Sequence, residues 1–168
     1  MAAVGALYRD ELKAFSGALV ETFGGPGVAG AWLVLDFFPG PVLPQDLFTA
    51  FALLGGMGFW ETAAWASLGS LSGASLGWLA ARRLARHPAY LWSIQRGAAR
   101  RVYHLVERNR ALTLAVGAIS PLPFSVAVWA CTATGIRYRQ LLLLSLLRPV
   151  RIIFYMWLME IGAINALA

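Results

Sequence analysis

The sequence predicts an all-α integral membrane protein built as an inverted repeat. Two re-entrant helical hairpins enter from opposite faces, each followed by a transmembrane helix, behind an N-terminal amphipathic helix. Three observations predict this. Hydrophobic residues make up 59% of the 168 residues and charged residues 13%, against about 45–50% and 25% in soluble domains. A soluble core of this size cannot hide so much apolar surface, so lipid must take the remainder. Second, two apolar stretches are broken by prolines: Phe38-Pro39-Gly40-Pro41-Val42-Leu43-Pro44-Gln45-Asp46 and Ile119-Ser120-Pro121-Leu122-Pro123-Phe124-Ser125. Their Leu-Pro pairs stand 79 residues apart (44 to 123), and each is followed twelve residues later by a glycine, Gly56 or Gly135. Third, Arg82, Arg83, Arg86, Arg96, Arg100, Arg101, Arg108 and Arg110 crowd one stretch between apolar segments, with Glu107 as its one acid.

In residues 1–23, Val4, Tyr8, Leu12, Phe15, Leu19 and Phe23 form one helical stripe, with Arg9, Asp10, Lys13, Gly17 and Glu21 mostly on the other side. That helix is too charged to span and is expected to lie in the membrane interface. A soluble amphipathic cap packed on the rest is the alternative. No cleavage signal follows it, so the segment is expected to stay attached. Gly24-Gly25-Pro26-Gly27 is expected to break the helix.

The first hairpin is placed at 28–56. Its arms, Val28 to Phe38 and Leu47 to Leu54, are short, whereas a spanning helix needs about 20 residues. Pro39, Pro41 and Pro44 make the turn, and such breaks persist in hydrocarbon only where protein or a cavity shelters the freed polar groups. A single kinked span is the alternative. Residues 57–81 form a full-length span in which Gly69, Gly73 and Gly77 recur every four residues, a face that lets another helix approach closely. It suits a homodimer as well as packing within one chain.

The stretch 82–110 is a basic loop, cytoplasmic under the positive-inside rule. Anionic lipid explains its charges, with Trp92 and Tyr103 as anchors, and nucleic acid is not expected as a partner. The second hairpin, 111–136, turns at Pro121 and Pro123, and a final span covers 140–164. With the loop inside, the first hairpin opens outward and the second inward, and the site is expected between the two repeats.

Ionisable residues inside membrane segments cost about 2.5–3.5 kcal/mol each at mid-depth. Asp36 and Asp46 flank the first turn, while Arg148 and Arg151 share one face of the last helix with Tyr155. The arginines are candidates to meet an anionic phosphate headgroup, and the carboxylates to balance them and relay protons. Capping of a half-helix is the alternative for Asp46, and snorkelling to the headgroups is that for the arginines. Ser120 and Ser125, the polar groups at the second turn, are further substrate-binding candidates. Glu61 is either an interfacial anchor or a third relay group, and Glu160 is expected to be solvated. His87 and His104 lack ligand partners at useful spacing, so no metal is expected. Cys131 reads as a small core residue. No catalytic motif is present, and neither an enzyme nor a cofactor is expected.

The residues carry a resemblance. Leu43-Pro44-Gln45-Asp46, Gly69-x-x-x-Gly73 and Ala81-Arg82-Arg83 look like the first half of a DedA superfamily (VTT-domain) protein. Ser120-Pro121-Leu122-Pro123, Gly135 and Arg148-Pro149-Val150-Arg151 look like the second half, especially of the short YqaA-type branch. The resemblance covers roughly residues 28–163. Where the family usually has a glutamate after the first proline, Asp46 stands here. The arginine many members carry after the second turn is absent, with Phe124 and Ser125 in its place, so no role is carried over for it. The resemblance implies translocation of an anionic lipid, a polyprenyl phosphate or phospholipid headgroup, across the bacterial inner membrane, linked to the proton-motive force. A proton-coupled exporter of small ions or drugs, or a non-transporting scaffold, are the competing readings.

Overall fold

The computed structural model describes residues 2–39, 45–84, 87, 104, 106, 108–119 and 124–165, and the regular structure among them is helical throughout. The helices are α1 (Ala2–Phe37), α2 (Asp46–Leu54), α3 (Phe59–Leu84), α4 (Arg110–Ile119), α5 (Phe124–Ala133), α6 (Tyr138–Ser145) and α7 (Leu147–Asn165). The proline turns at 40–44 and 120–123, and most of the arginine-rich stretch, lie outside the described residues.

The expected break after residue 23 is present as a kink between two helical arms. Gly24 adopts φ 51°, ψ −149°, a conformation open to glycine and little else. Helix resumes at once, with Pro26 in the first turn of the new arm, where its missing N–H costs nothing. Taken across this kink, the 25 residues Lys13–Phe37 are long and apolar enough to cross a membrane, and Tyr138–Gly162 are a second such stretch. The arm expected at Val28 to Phe38 is the part of α1 that follows the kink. The 26-residue α3 has the length to span but falls short of that apolarity. Small and hydroxyl side chains hold its place because it faces protein.

The glycine face of α3 packs against α1 within the chain. A Cβ at Gly69 would collide with the Ala29 backbone, and one at Gly73 would stand 2.5 Å from the Leu33 carbonyl oxygen. Gly77 lies beside the carbonyls of Asp36 and Phe37 and the Trp129 indole. Close approach of this kind is what small residues every fourth position permit. It seats α1 against α3 along its last three turns.

α2 and α5 end in the same way. Gly56 (φ 90°) and Gly135 (φ 87°) take the left-handed conformation. Around the first, the Gly56 N–H donates to Leu53 O and that of Met57 to Ala52 O. Around the second, the Gly135 N–H donates to Thr132 O and that of Ile136 to Cys131 O. These are matching Schellman caps, and the next helices begin at Phe59 and Tyr138, again 79 residues apart. Met57 and Ile136, just past each glycine, are buried.

α6 and α7 are nearly continuous, with a break at Leu146. Pro149 sits in the first turn of α7 and supplies no donor to Ser145, which places the irregularity just before it. The faces of α7 are reversed relative to a water-soluble helix. Val150, Phe154, Trp157 and Leu158 are exposed, whereas Arg148 and Arg151 are buried with Ile152 and Met156. Large apolar groups outward and charges inward suit a lipid surround.

Candidate functional site

The interior of the bundle holds a charged cluster. α1 delivers Asp36, fully buried, one residue before its C-terminus, and the close α1–α3 seam brings it against Ser70. α7 delivers Arg148, 1% exposed. Its Nη2 donates to both Asp36 carboxylate oxygens, at 2.5 Å to Oδ1, and to Gln45 Oε1 at 2.9 Å. Its Nε donates to Ser70 Oγ at 3.0 Å, and the Ser70 hydroxyl donates in turn to Asp36 Oδ2 at 2.5 Å. Gln45 Nε2 completes the ring with a 2.8 Å bond to Asp36 Oδ1. The guanidinium also stands over two rings, 4.6 Å from the Phe124 centroid and 5.4 Å from that of Trp32, within the range of a cation–π attraction. Four other segments of the chain converge on one guanidinium.

The second pair is looser. Arg151, one turn on, lies 3.7 Å from Asp46, the first residue of α2, and its side chain is 8% exposed while that of Asp46 is 24% exposed. Arg151 rests over the Tyr155 ring at 5.0 Å. Among the described residues Arg148 Nη1 and Arg151 Nε have no hydrogen-bond partner, an expensive condition for buried guanidinium donors. The arrangement thus contains one closed ion pair, bonded on most sides, and one open pair with unused donor capacity beside it.

Four of the sequence-selected residues, Asp36, Asp46, Arg148 and Arg151, therefore meet. Ser125 is buried in the first turn of α5, next to the Phe124 that covers Arg148. Ser120, Pro41, Pro44, Pro121 and Pro123 lie outside the described residues, and Pro39 is exposed at the end of α1. Glu61 is exposed in the first turn of α3, away from the cluster. Gln45, Ser70, Trp32 and Phe124 were not singled out as site residues. Ser70 had a signal in its place on the Gly69/Gly73/Gly77 face, and Gln45 in its position between Pro44 and Asp46.

Among the described residues no group of three or more His, Cys, Asp or Glu side chains is arranged to hold a metal ion. No curated protein and no solved structure gives a significant match to the chain. A family model, that of the VTT domain, matches residues 41–161, more than half of the chain, and so takes in both glycine caps, Gln45, Asp46, Ser70, Arg148 and Arg151. With that match, and with an all-helical structure that turns apolar faces outward, the chain belongs to the VTT domain family, the membrane-associated domain of the DedA superfamily.

Proposed function

We propose that this protein is a transporter rather than an enzyme and translocates an anionic lipid, recognised by the phosphate of its headgroup, across the bacterial inner membrane. The observation that carries this reading is the inward-facing cluster of two acids and two bases in a chain whose large apolar side chains face outward. A closed pair is poorly placed to receive a ligand, because its carboxylate already occupies the guanidinium. In this reading Arg151 receives the phosphate through donors that Asp46 leaves unused, and Arg148 with Asp36 is the fixed point against which α7 and α2 move. Asp46, the more exposed carboxylate, exchanges the proton.

The same reading takes α2 and α5 as re-entrant arms. At 9 and 10 residues they are about 14–15 Å long at 1.5 Å per residue, half of a bilayer core of about 30 Å. The matching glycine caps support an internal repeat, and the arginine-rich stretch 82–110 supports a cytoplasmic loop and hence an inverted relation between the halves.

The test is reconstitution of the purified chain into liposomes with fluorescent phosphatidylglycerol, a polyprenyl phosphate analogue and phosphatidylcholine, read at two imposed pH gradients. Translocation of the anionic lipids that falls at least tenfold in Arg151→Gln supports the reading. An Arg151→Gln variant that translocates at the wild-type rate refutes it. Transport of a small cation instead of lipid would favour the exporter reading.

A further inference from the structure

We infer a second, peripheral anion site for a phosphate group, held by Arg82 and Arg137 at the corner where α3 ends and α6 begins. It uses none of the residues of the central cluster and goes beyond the function proposed above.

A cavity of about 410 Å³ opens at this corner, lined by Trp78, Arg82, Thr132, Gly135, Arg137 and Tyr138, a volume within the range of small-ligand pockets. Its walls are held in place. The Schellman cap at Gly135 fixes the turn, and Trp78 Nε1 donates across it to Ile136 O at 3.3 Å. The Trp78 and Tyr138 rings lie 5.1 Å apart, and the Tyr138 hydroxyl hydrogen-bonds with Ser75 at 3.2 Å. Arg82 is laid over the Trp78 ring at 5.1 Å, so its guanidinium is oriented without a carboxylate.

Arg82 of α3 and Arg137, the residue that caps α6, thus line one concavity, and among the described residues no carboxylate pairs with either. Both are exposed, and an anion with several acceptor oxygens can accept from the two at once. Phosphate suits the planar donors of arginine. The flanking Trp and Tyr have the character of residues placed at headgroup level. Arg82 is the first residue of the arginine-rich stretch, the segment expected to meet anionic lipid. The phosphate is either that of a membrane lipid or inorganic phosphate, and the same donors would take both.

Native mass spectrometry of the full chain in detergent tests this with three probes: dioctanoyl phosphatidylglycerol, dioctanoylglycerol and inorganic phosphate. Phosphatidylglycerol should bind about tenfold or more weakly to the Arg82→Gln/Arg137→Gln double variant, the scale of one or two lost charge-assisted bonds. Arg139→Gln, which changes a neighbouring exposed charge outside the pocket, should change binding less than about twofold on the same reasoning. The Arg82→Lys/Arg137→Lys variant keeps the charge and should fall between, which preserves the test if the glutamine variant misfolds by circular dichroism. Displacement of the lipid by millimolar inorganic phosphate would make free phosphate a sufficient ligand, and failure to displace would assign the site to lipid. The inference is overturned if the double variant binds like wild type, if Arg139→Gln weakens binding as much, or if dioctanoylglycerol binds equally well. Arg151→Gln should lose one bound lipid and keep a second, which the Arg82→Gln/Arg137→Gln variant loses; the same single lipid lost in both variants overturns the separation of this site from the central one.

Discussion

Replacing Arg148 by methionine removes a guanidinium that is 1% exposed and bonded to Asp36, Ser70 and Gln45. The loss is not chiefly that of an attraction. It leaves the Asp36 carboxylate, fully buried, with Ser70 and Gln45 as its donors among the described residues, and an uncompensated buried charge costs about 3–5 kcal/mol. The partner substitution, Asp36→Leu, strands Arg148 and should cost a similar amount. Replacing both together removes the stranded charge. Exchanging a buried pair for apolar groups of similar volume is often neutral or stabilising, although here Ser70 and Gln45 each lose partners at about 1–3 kcal/mol. The double variant should therefore lie within about 1–3 kcal/mol of wild type, far from the sum of the singles. The assay is a double-mutant cycle on the purified chain in mild detergent, unfolded by rising dodecyl sulfate and followed by circular dichroism. Additive costs, or an Arg148→Met penalty below about 1 kcal/mol, would refute the view that this pair is desolvated and closed.

The remaining predictions concern the looser pair and the glycines. Arg151→Gln should keep the fold, because Asp46 retains access to solvent, with a thermal midpoint within a few degrees of wild type and translocation down at least about tenfold. Arg151→Lys keeps the charge but not the fork, and should recover part of that rate in the same liposome assay. Gly69→Ala sets a methyl against the Ala29 backbone and should lower stability by about 1–3 kcal/mol through overpacking. Gly30→Ala, with open space at the same offset on α1, should be neutral or stabilising by about 0.5–1 kcal/mol; thermal unfolding compares the two. Gly56→Ala and Gly135→Ala face open space but demand a left-handed backbone, and each should cost about 1–2 kcal/mol by the same measurement.

Composition and punctuation carried much of the fold into view. The two Leu-Pro breaks, the glycines twelve residues after them, and the small-residue face of α3 are local signals, and the caps at Gly56 and Gly135 follow from residue type at a fixed offset. The four charged residues were legible because charge in an apolar stretch is conspicuous. Their pairing was not: Asp36 and Arg148 stand 112 residues apart, and nothing along the chain says that Arg148 rather than Arg151 takes Asp36. Trp32 and Phe124 look like ordinary apolar residues until the rings are placed over a guanidinium. The break at Gly24 was legible in Gly-Gly-Pro-Gly; that the following arm packs along the glycine face of α3 was not, because propensity does not encode it.

The separation between Asp36 and Arg148 has a consequence in time. A ribosome adds about 5–20 residues per second, so 112 residues take roughly 6–22 s. Throughout that interval the carboxylate exists without its cation, and Ser70 arrives before Arg148 does. Until α7 emerges, the ring of hydrogen bonds around Asp36 cannot close. The N-terminal half is then kept from closing early, and the last helix, by delivering Arg148, completes the cluster.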